Sequence, residues 1–451
     1  MAETTITPKL FGTDGIRAPF GEYPLDETTV VRVGHSLAET LGETTPAPLV
    51  LLGGDTRDST ETICRWLSRG LAAADARVLY LGVVPTPAVA YLVRHLAAQG
   101  GVAVSASHNP HPDNGIKLFD AAGHKWAPAA EAALEGRLDG PPPAAPPHAD
   151  ELEPDAAARA AYREALVASA GGEGALAGLT VALDTAHGAT WELAPDVFAA
   201  LGARVHLFGA APDGRNINRE CGSTHPDPLA AEVARLGAHL GVAFDGDGDR
   251  AILVDEQGRV RDGDAMLYLW ATALASEDAL TPRQVVATTM SNLGLEHALA
   301  VAGIGVVRCD VGDRVVMETM LRQGIELGGE QSGHVVHRSL STTGDGILTA
   351  LQLARVVVRR GAPLSRLLAG FRRFPQVLRN VRVREKRPFA ELAEVSAAAR
   401  RIEEALRAQG RMVLRYSGTE PLARIMLEGP DQGALERHAE ALAAAIEEAL
   451  G

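Results

Sequence analysis

Residues 101–117, Gly-Val-Ala-Val-Ser-Ala-Ser-His-Asn-Pro-His-Pro-Asp-Asn-Gly-Ile-Lys, join a short apolar run to a loop of hydroxyls, imidazoles, prolines and a lysine. The β-branched run at 102–104 suits a strand, and Pro110 and Pro112 forbid a helix after it. Ser107 is therefore expected at the exposed carboxyl end of a buried strand, where open α/β sheets bind ligands, and it reads as a nucleophile. An ordinary turn rich in Ser, Asn and Pro has the same composition, so the rest of the chain has to decide.

The same arrangement recurs. Residues 49–58, 179–188 and 284–294 are each an apolar strand that breaks into a small polar turn ahead of a helix. A second strand follows at 77–81, 204–208 and 305–309. A further strand then runs into an unusual loop: Ser-Ala-Ser-His-Asn-Pro at 105–110, Asp-Gly-Asp-Gly-Asp-Arg at 245–250 and Gly-Gly-Glu-Gln-Ser-Gly-His at 328–334. Such alternation predicts α/β domains with mixed, mostly parallel sheets. In the first of them, helices are expected at 28–41, at 59–74 with Asp58 or Ser59 as cap, and at 86–98.

A stiff proline-rich linker at 141–154 and a change of pattern near 370 divide the chain into four domains. They are 1–150, 151–256, 257–370 and a smaller α+β domain at 371–451. The last is expected to carry strands at 376–383, 411–415 and 423–427 and helices at 389–408 and 433–450. Equivalent strands that end in different chemistry are expected to face one central cleft, each supplying one part of a site.

Bulk properties narrow the function. With 451 residues and 46% hydrophobic content the chain can build several cores, and its formal charge of -14 argues against nucleic-acid or membrane-surface binding. Cys64, Cys221 and Cys309 form no Cys-x-x-Cys pair, and no uninterrupted apolar run approaches membrane-spanning length, so free thiols and a cytoplasmic setting are expected. There are four lysines, Lys9, Lys117, Lys125 and Lys386, against 39 arginines. Lys117 lies in the serine stretch, a hint that an ammonium able to release a proton is needed there. P-loop, nucleophile-elbow, dinucleotide and His-Glu-x-x-His motifs are missing from the sequence.

Asp245, Asp247 and Asp249 alternate after an apolar strand, so an extended backbone aims them to one side while the glycines let the loop close around an ion. Hard oxygen donors favour Mg2+ or Ca2+ over zinc. An EF-hand would put Glu256 at its twelfth position, but Arg250 stands where that loop demands glycine, and the flanks are strand-like. The 328–334 loop offers a carboxylate, a hydroxyl and an imidazole suited to sugar hydroxyls or an amine. Arg415-Tyr-Ser-Gly-Thr-Glu-Pro, followed by Arg424, makes an anion cradle of two guanidiniums, two hydroxyls and backbone amides.

Ser-Ala-Ser-His-Asn-Pro with Asp-Asn-Gly-Ile-Lys, the Phe-Gly-Thr-Asp-Gly-Ile-Arg of residues 11–17, the aspartate loop, the 328–334 loop and the 415–421 loop resemble, in this order along the chain, the motifs of the α-D-phosphohexomutases. Asp213-Gly-Arg-Asn-Ile-Asn and Cys221-Gly-Ser-Thr-His-Pro are most similar to its amino-sugar branch. The resemblance implies a phosphoserine enzyme that interconverts glucosamine 6-phosphate and glucosamine 1-phosphate through a sugar 1,6-bisphosphate, feeding amino-sugar nucleotide and cell-wall precursor synthesis. It implies that Ser107 carries the phosphoryl group, with Mg2+ on Ser107, Asp245, Asp247 and Asp249. Arg17, His108, Lys117 and His334 would act on the transferring group or its proton, with Arg250 beside them. Glu330 and Ser332 would hold ring hydroxyls, and Arg415, Ser417, Gly418, Thr419 and Arg424 the phosphate that does not react.

Val315 and Tyr416 depart from the family pattern, which often has an aromatic residue and a lysine or proline there. The expected partner is a small-molecule sugar phosphate, without nucleic acid or membrane, and a homodimer is compatible with it. Two alternatives stay open: mannose or glucose phosphates as substrates, and a non-catalytic sugar-phosphate or Ca2+ sensor on the same scaffold.

Overall fold

The computed structural model describes residues 10–12, 14–407, 410–417 and 420–451. They fall into two compact units, one of residues up to Met290 with Ile304–Ala369, the other of Ser291–Gly303 with Gly370–Gly451.

The first unit holds three sheets. In the first, β1 (Ile16–Pro19), β2 (Leu49–Gly54), β3 (Arg77–Val83), β4 (Gly100–Val104) and β5 (Asp113–Asp120) lie in the order β1-β5-β4-β2-β3. β2 runs parallel to β3 and β4, while β5 is antiparallel to β4 and β1. The serine stretch is thus a strand, a loop and a second strand. Lys117 lies on β5, paired with Ala103, and not in the loop where its neighbours in sequence suggest.

Helices Glu27–Gly42 and Thr60–Ala73 bury Val30, Leu37, Ile63 and Leu67 with Val50, Leu52, Val102 and Val104 of the sheet. Asp26 caps the first through Thr29 N. The second starts at Ser59 without a side-chain cap bond; Ser59 Oγ instead accepts Asn114 Nδ2 (2.8 Å), and Asp58 pairs with Arg215. The helix expected at 86–98 spans Thr86–His95, because Ala97 turns to φ 51.

The second sheet, β6 (Thr180–Asp184), β7 (Arg204–Phe208), β8 (Leu240–Phe244), β9 (Ala251–Asp255) and β10 (Val260–Arg261), has the order β10-β9-β8-β6-β7. The third, β11 (Gln284–Thr288), β12 (Gly305–Cys309), β13 (Leu327–Gly329) and β14 (Val335–His337), has the order β12-β11-β13-β14. β4, β8 and β13 are equivalent: each is parallel to the first strand of its own repeat and antiparallel to the strand that follows it in the chain. The serine, aspartate and Glu330 loops are therefore the same connection in three sheets.

The proline-rich segment is anchored more than a linker would be. Residues Pro147–Asp150 form a 3-10 turn with Ala149 buried, Asp150 pairs with Arg69, and Asp155 caps helix Ala156–Ser169.

In the second unit, β15 (Gln376–Arg382), β16 (Arg411–Tyr416) and β17 (Leu422–Glu428) form an antiparallel sheet in the order β15-β17-β16. Helices Ala393–Leu406 and Gln432–Leu450 bury Val395, Ile402, Leu442 and Ile446 on Ile425 and Leu427. The helix expected from 389 begins instead as a 3-10 turn, Phe389–Glu391, and restarts at Ala393; residue 408 lies outside the described residues. Among the described residues no helix is long and apolar enough to cross a membrane.

Candidate active site

The equivalence of the three connections gathers their side chains in the first unit. Ser107 follows β4 with φ 52, and its Oγ donates to Asp245 Oδ2 at 2.6 Å. Contrary to the exposed strand end expected, Ser107 is fully buried, because the aspartate loop closes over it: a Cβ on Gly246 would stand 2.6 Å from the Ser107 carbonyl. His108 Nδ1 lies 3.4 Å from Ser107 Oγ and 3.4 Å from Arg250 Nη1. Burial, with Arg250 and Arg17, lowers the His108 imidazole below its usual value.

Asp245, Asp247 and Asp249 are buried, and one oxygen from each lies within 4.8 Å of the others. Lys117 Nζ reaches Asp247 at 2.8 Å, Asp14 at 3.1 Å and Asp249 at 3.5 Å. Burial alone would lower its ammonium, but those three carboxylates hold it well above the usual lysine range, so Lys117 keeps the proton that its choice over arginine suggested it would release. Burial, Asp249 and Asp247 push the Asp245 carboxyl well up. Burial opposes the Asp249 charge too, yet Lys117 and His334 keep it well below the usual range. Among the described residues, Asp247 Oδ1 and Asp249 Oδ1 are buried without a hydrogen-bond partner. Crowded carboxylates with open oxygens and no sulfur or imidazole among them fit a hard divalent cation.

Arg17 pairs with Asp14 and approaches Asn109 Oδ1 at 3.4 Å. Arg250 donates its backbone N–H to Asp245 (3.1 Å) and sends its guanidinium toward Asp249 (3.6 Å). The third connection brings His334, buried, with Nδ1 3.7 Å from Asp249 and Nε2 accepting Gly344 N at 3.0 Å. A Cβ at Gly344 would collide with the imidazole at 2.5 Å, so that position excludes a side chain. Glu330 is buried and accepts Gly312 N (3.0 Å), whereas Ser332 is exposed on the turn between β13 and β14.

The fourth loop belongs to the second unit. Arg415 and Arg424 stand directly opposite each other on β16 and β17, a like-charge pairing that costs stability unless an anion joins it. Arg424 donates to Ser417 Oγ (3.2 Å) and Glu420 (2.7 Å), and among the described residues its Nε is buried without a partner. Gly418 and Thr419 lie outside the described residues.

Sequence reasoning missed several neighbours. Asp14 binds Arg17, Lys117 and Lys125 together, and Lys125 bridges on to Asp313. Thr86 Oγ1 donates to Asp247 (2.6 Å), and Lys386 donates to the Ser417 carbonyl (2.6 Å). The scarcity of lysine was a signal for Lys125 and Lys386 as much as for Lys117.

Models of the four phosphoglucomutase/phosphomannomutase domains match the chain in sequence: alpha/beta/alpha domain I at residues 8–141, alpha/beta/alpha domain II at 160–258, alpha/beta/alpha domain III at 262–374 and the C-terminal domain at 378–445. The chain belongs to the phosphoglucomutase/phosphomannomutase family. It is an isomerase of that family, built of three similar α/β domains and a smaller C-terminal one. Within this phosphohexomutase family it is 45% identical to a phosphoglucosamine mutase of Solibacter usitatus, over 98% of this chain and 99% of that one. A phosphoglucosamine mutase of Halorhodospira halophila is 46% identical over 97% and 96%. Among solved structures, a phosphoglucomutase/phosphomannomutase family protein of Burkholderia thailandensis superposes with TM-score 0.80 at 23% identity, covering 98% of both chains. An N-acetylphosphoglucosamine mutase of Aspergillus fumigatus, in complex with GlcNAc-6P and magnesium, gives 0.66 at 19% over 98% and 96%.

Proposed function

We propose that the protein interconverts glucosamine 6-phosphate and glucosamine 1-phosphate by passing a phosphoryl group between the sugar and Ser107. The observation that carries this reading is the buried contact of Ser107 Oγ with Asp245, in a chain that matches phosphoglucosamine mutases from end to end. A serine ester phosphate is inert in water, so the site has to supply alignment and charge. Asp245, Asp247 and Asp249 would hold Mg2+, whose contribution is neutralisation of phosphate charge. The relative from Aspergillus fumigatus binds magnesium with its sugar phosphate.

Five carboxylates (Asp14, Asp245, Asp247, Asp249, Asp313) and four cations (Arg17, Lys117, Lys125, Arg250) share the site. A bound divalent cation adds two positive charges to that balance, the direction a dianionic phosphoserine requires.

In the forward direction the sugar C1 hydroxyl attacks the phosphorus on Ser107. The new P–O bond forms as the Oγ–P bond breaks, and the electron pair returns to Oγ. Arg17 and Arg250 stabilise the equatorial oxygens, and His108 lines the approach to Oγ. His334, on Asp249, is placed to take the hydroxyl proton, while Lys117, held as an ammonium by Asp247, Asp14 and Asp249, steadies the charge of the transferring group. The resulting 1,6-bisphosphate turns over, Ser107 Oγ attacks the 6-phosphate, and the stored proton goes to the departing sugar oxygen. Glu330 and Ser332 hold ring hydroxyls, while Arg415, Ser417, Gly418, Thr419 and Arg424 grip the phosphate that stays on the sugar. The product feeds amino-sugar nucleotide and cell-wall precursor synthesis; three free cysteines suit a cytoplasmic setting.

A coupled assay on glucosamine, glucose and mannose phosphates tests the reading. Glucosamine 6-phosphate is expected to turn over fastest, and faster turnover of mannose 1-phosphate would overturn that choice.

A further inference from the structure

Ser107 holds a backbone conformation that an L-residue occupies at a cost of about 1–2 kcal/mol. Something has to keep it there. On its amide side, Ser107 N donates to Ser105 Oγ at 2.9 Å, and Ser105 is tied to Asp55. On its carbonyl side two donors from different modules converge on the same pair of oxygens. Arg57 Nη2 reaches Asn109 O at 2.6 Å and Ser107 O at 3.3 Å. Asn218 Nδ2 reaches Ser107 O at 2.8 Å and Asn109 O at 3.0 Å.

Both donors are buried, Arg57 at 3% and Asn218 at 8% exposure, so water does not substitute for either. Each is itself fixed. Arg57 pairs with Asp55, which also accepts Arg57 N (3.0 Å) and Thr60 Oγ1 (3.0 Å). Asn218 sits at φ 59, a left-handed conformation that asparagine tolerates, and its N–H donates to Ala186 O at 2.9 Å. Arg57 comes from the turn after β2, whereas Asn218 comes from the segment between β7 and β8 of the second sheet. The turn after β2 and the second module are further joined by Asp58 N to Gly214 O (3.0 Å) and by Thr56 Oγ1 to His187 O (2.5 Å).

We infer that Arg57 and Asn218 are positioning residues for phosphoryl transfer: a two-sided clamp on the Ser107 and Asn109 carbonyls that aims Ser107 Oγ at the aspartate loop. The inference rests on the proposed transfer through Ser107. A folded protein needs the loop buried, but transfer needs Oγ held in line to a fraction of an ångström, and misplacement by about 1 Å can cost about a hundredfold. Among the described residues the clamp's side-chain amide and guanidinium bonds go to the serine loop and Asp55 and not to the 328–334 loop, so it acts on the transfer step and not on sugar binding.

Asn218→Ala removes the amide donor, and Arg57→Lys keeps the charge while losing the fork that spans two carbonyls. For each, kcat is expected to fall by about 10- to 100-fold with KM for glucosamine 6-phosphate little changed. Loss of phosphate from pre-phosphorylated Ser107 to the sugar should slow in the same proportion, with cooperative thermal unfolding retained. Unchanged kcat in both variants, or a KM that rises in step with the loss, overturns the clamp. Failure of both to fold also counts against it, since the two residues would then be folding elements. A wild-type protein that does not turn over glucosamine 6-phosphate or take phosphate on Ser107 sinks the proposed function itself. An active wild type beside variants of equal kcat sinks only the clamp.

Discussion

Asp345 caps helix Gly346–Arg360 through Leu348 N (2.9 Å) and accepts Tyr162 Oη at 2.7 Å, yet burial raises its carboxyl to about 6 from 3.8. Above about pH 6 the folded protein carries a buried charge that costs about 3 kcal/mol. As pH falls through 6 toward 3.8 the folded state takes up the proton before the unfolded chain does, and the cost disappears. Asp345→Asn keeps the cap and is expected to raise Tm at pH 8 by more than at pH 5; equal shifts at both would contradict this. In the second unit, Arg424→Met is expected to raise KM about 10- to 100-fold while leaving kcat little changed, since charged hydrogen bonds contribute about 1.5–3 kcal/mol each. An unchanged KM would remove Arg424 from the cradle.

At this scale Ser107, the aspartate trio and His334 were legible because each sits in a loop of unusual composition. Asp14 stands in a motif whose composition points to Arg17 alone, and Arg57, Thr86 and Asn218 act through contacts of more than a hundred residues' separation or through backbone carbonyls, which composition does not record.

The crossing of helices Glu27–Gly42 and Thr60–Ala73 shows what elements add. Gly34 and Gly70 face the partner backbone so closely that a Cβ at Gly70 would fall 1.9 Å from Val31 O and 2.6 Å from His35 N. Helix propensity alone favours Gly70→Ala by about 1 kcal/mol. Overpacking against backbone predicts the opposite, a lower Tm or a loss of soluble protein, and a raised Tm would refute the close crossing. Both helices and β2 and β4 were readable from apolar periodicity. β5 was not: Asp113, Asn114 and Gly115 read as loop, and pairing with β1 and β4 overrides that local preference. The 3-10 turn at Phe389–Glu391 was likewise absorbed into a helix, since it shares its neighbours' composition.

For the molecule as a whole, the repeat of strand, helix and loop chemistry gave the architecture, and equivalent connections explain why three distant loops meet. Metal dependence belongs to this scale. Excess EDTA is expected to abolish turnover and Mg2+ to restore it, and full turnover in excess chelator would contradict a cation on Asp245, Asp247 and Asp249. The central claim is that one phosphoryl group moves between Ser107 and the sugar. Protein labelled with phosphate on Ser107 by a sugar 1,6-bisphosphate and then mixed with glucosamine 6-phosphate should pass its label to the sugar within a single turnover. Label that stays on Ser107 while glucosamine 1-phosphate accumulates would contradict the account.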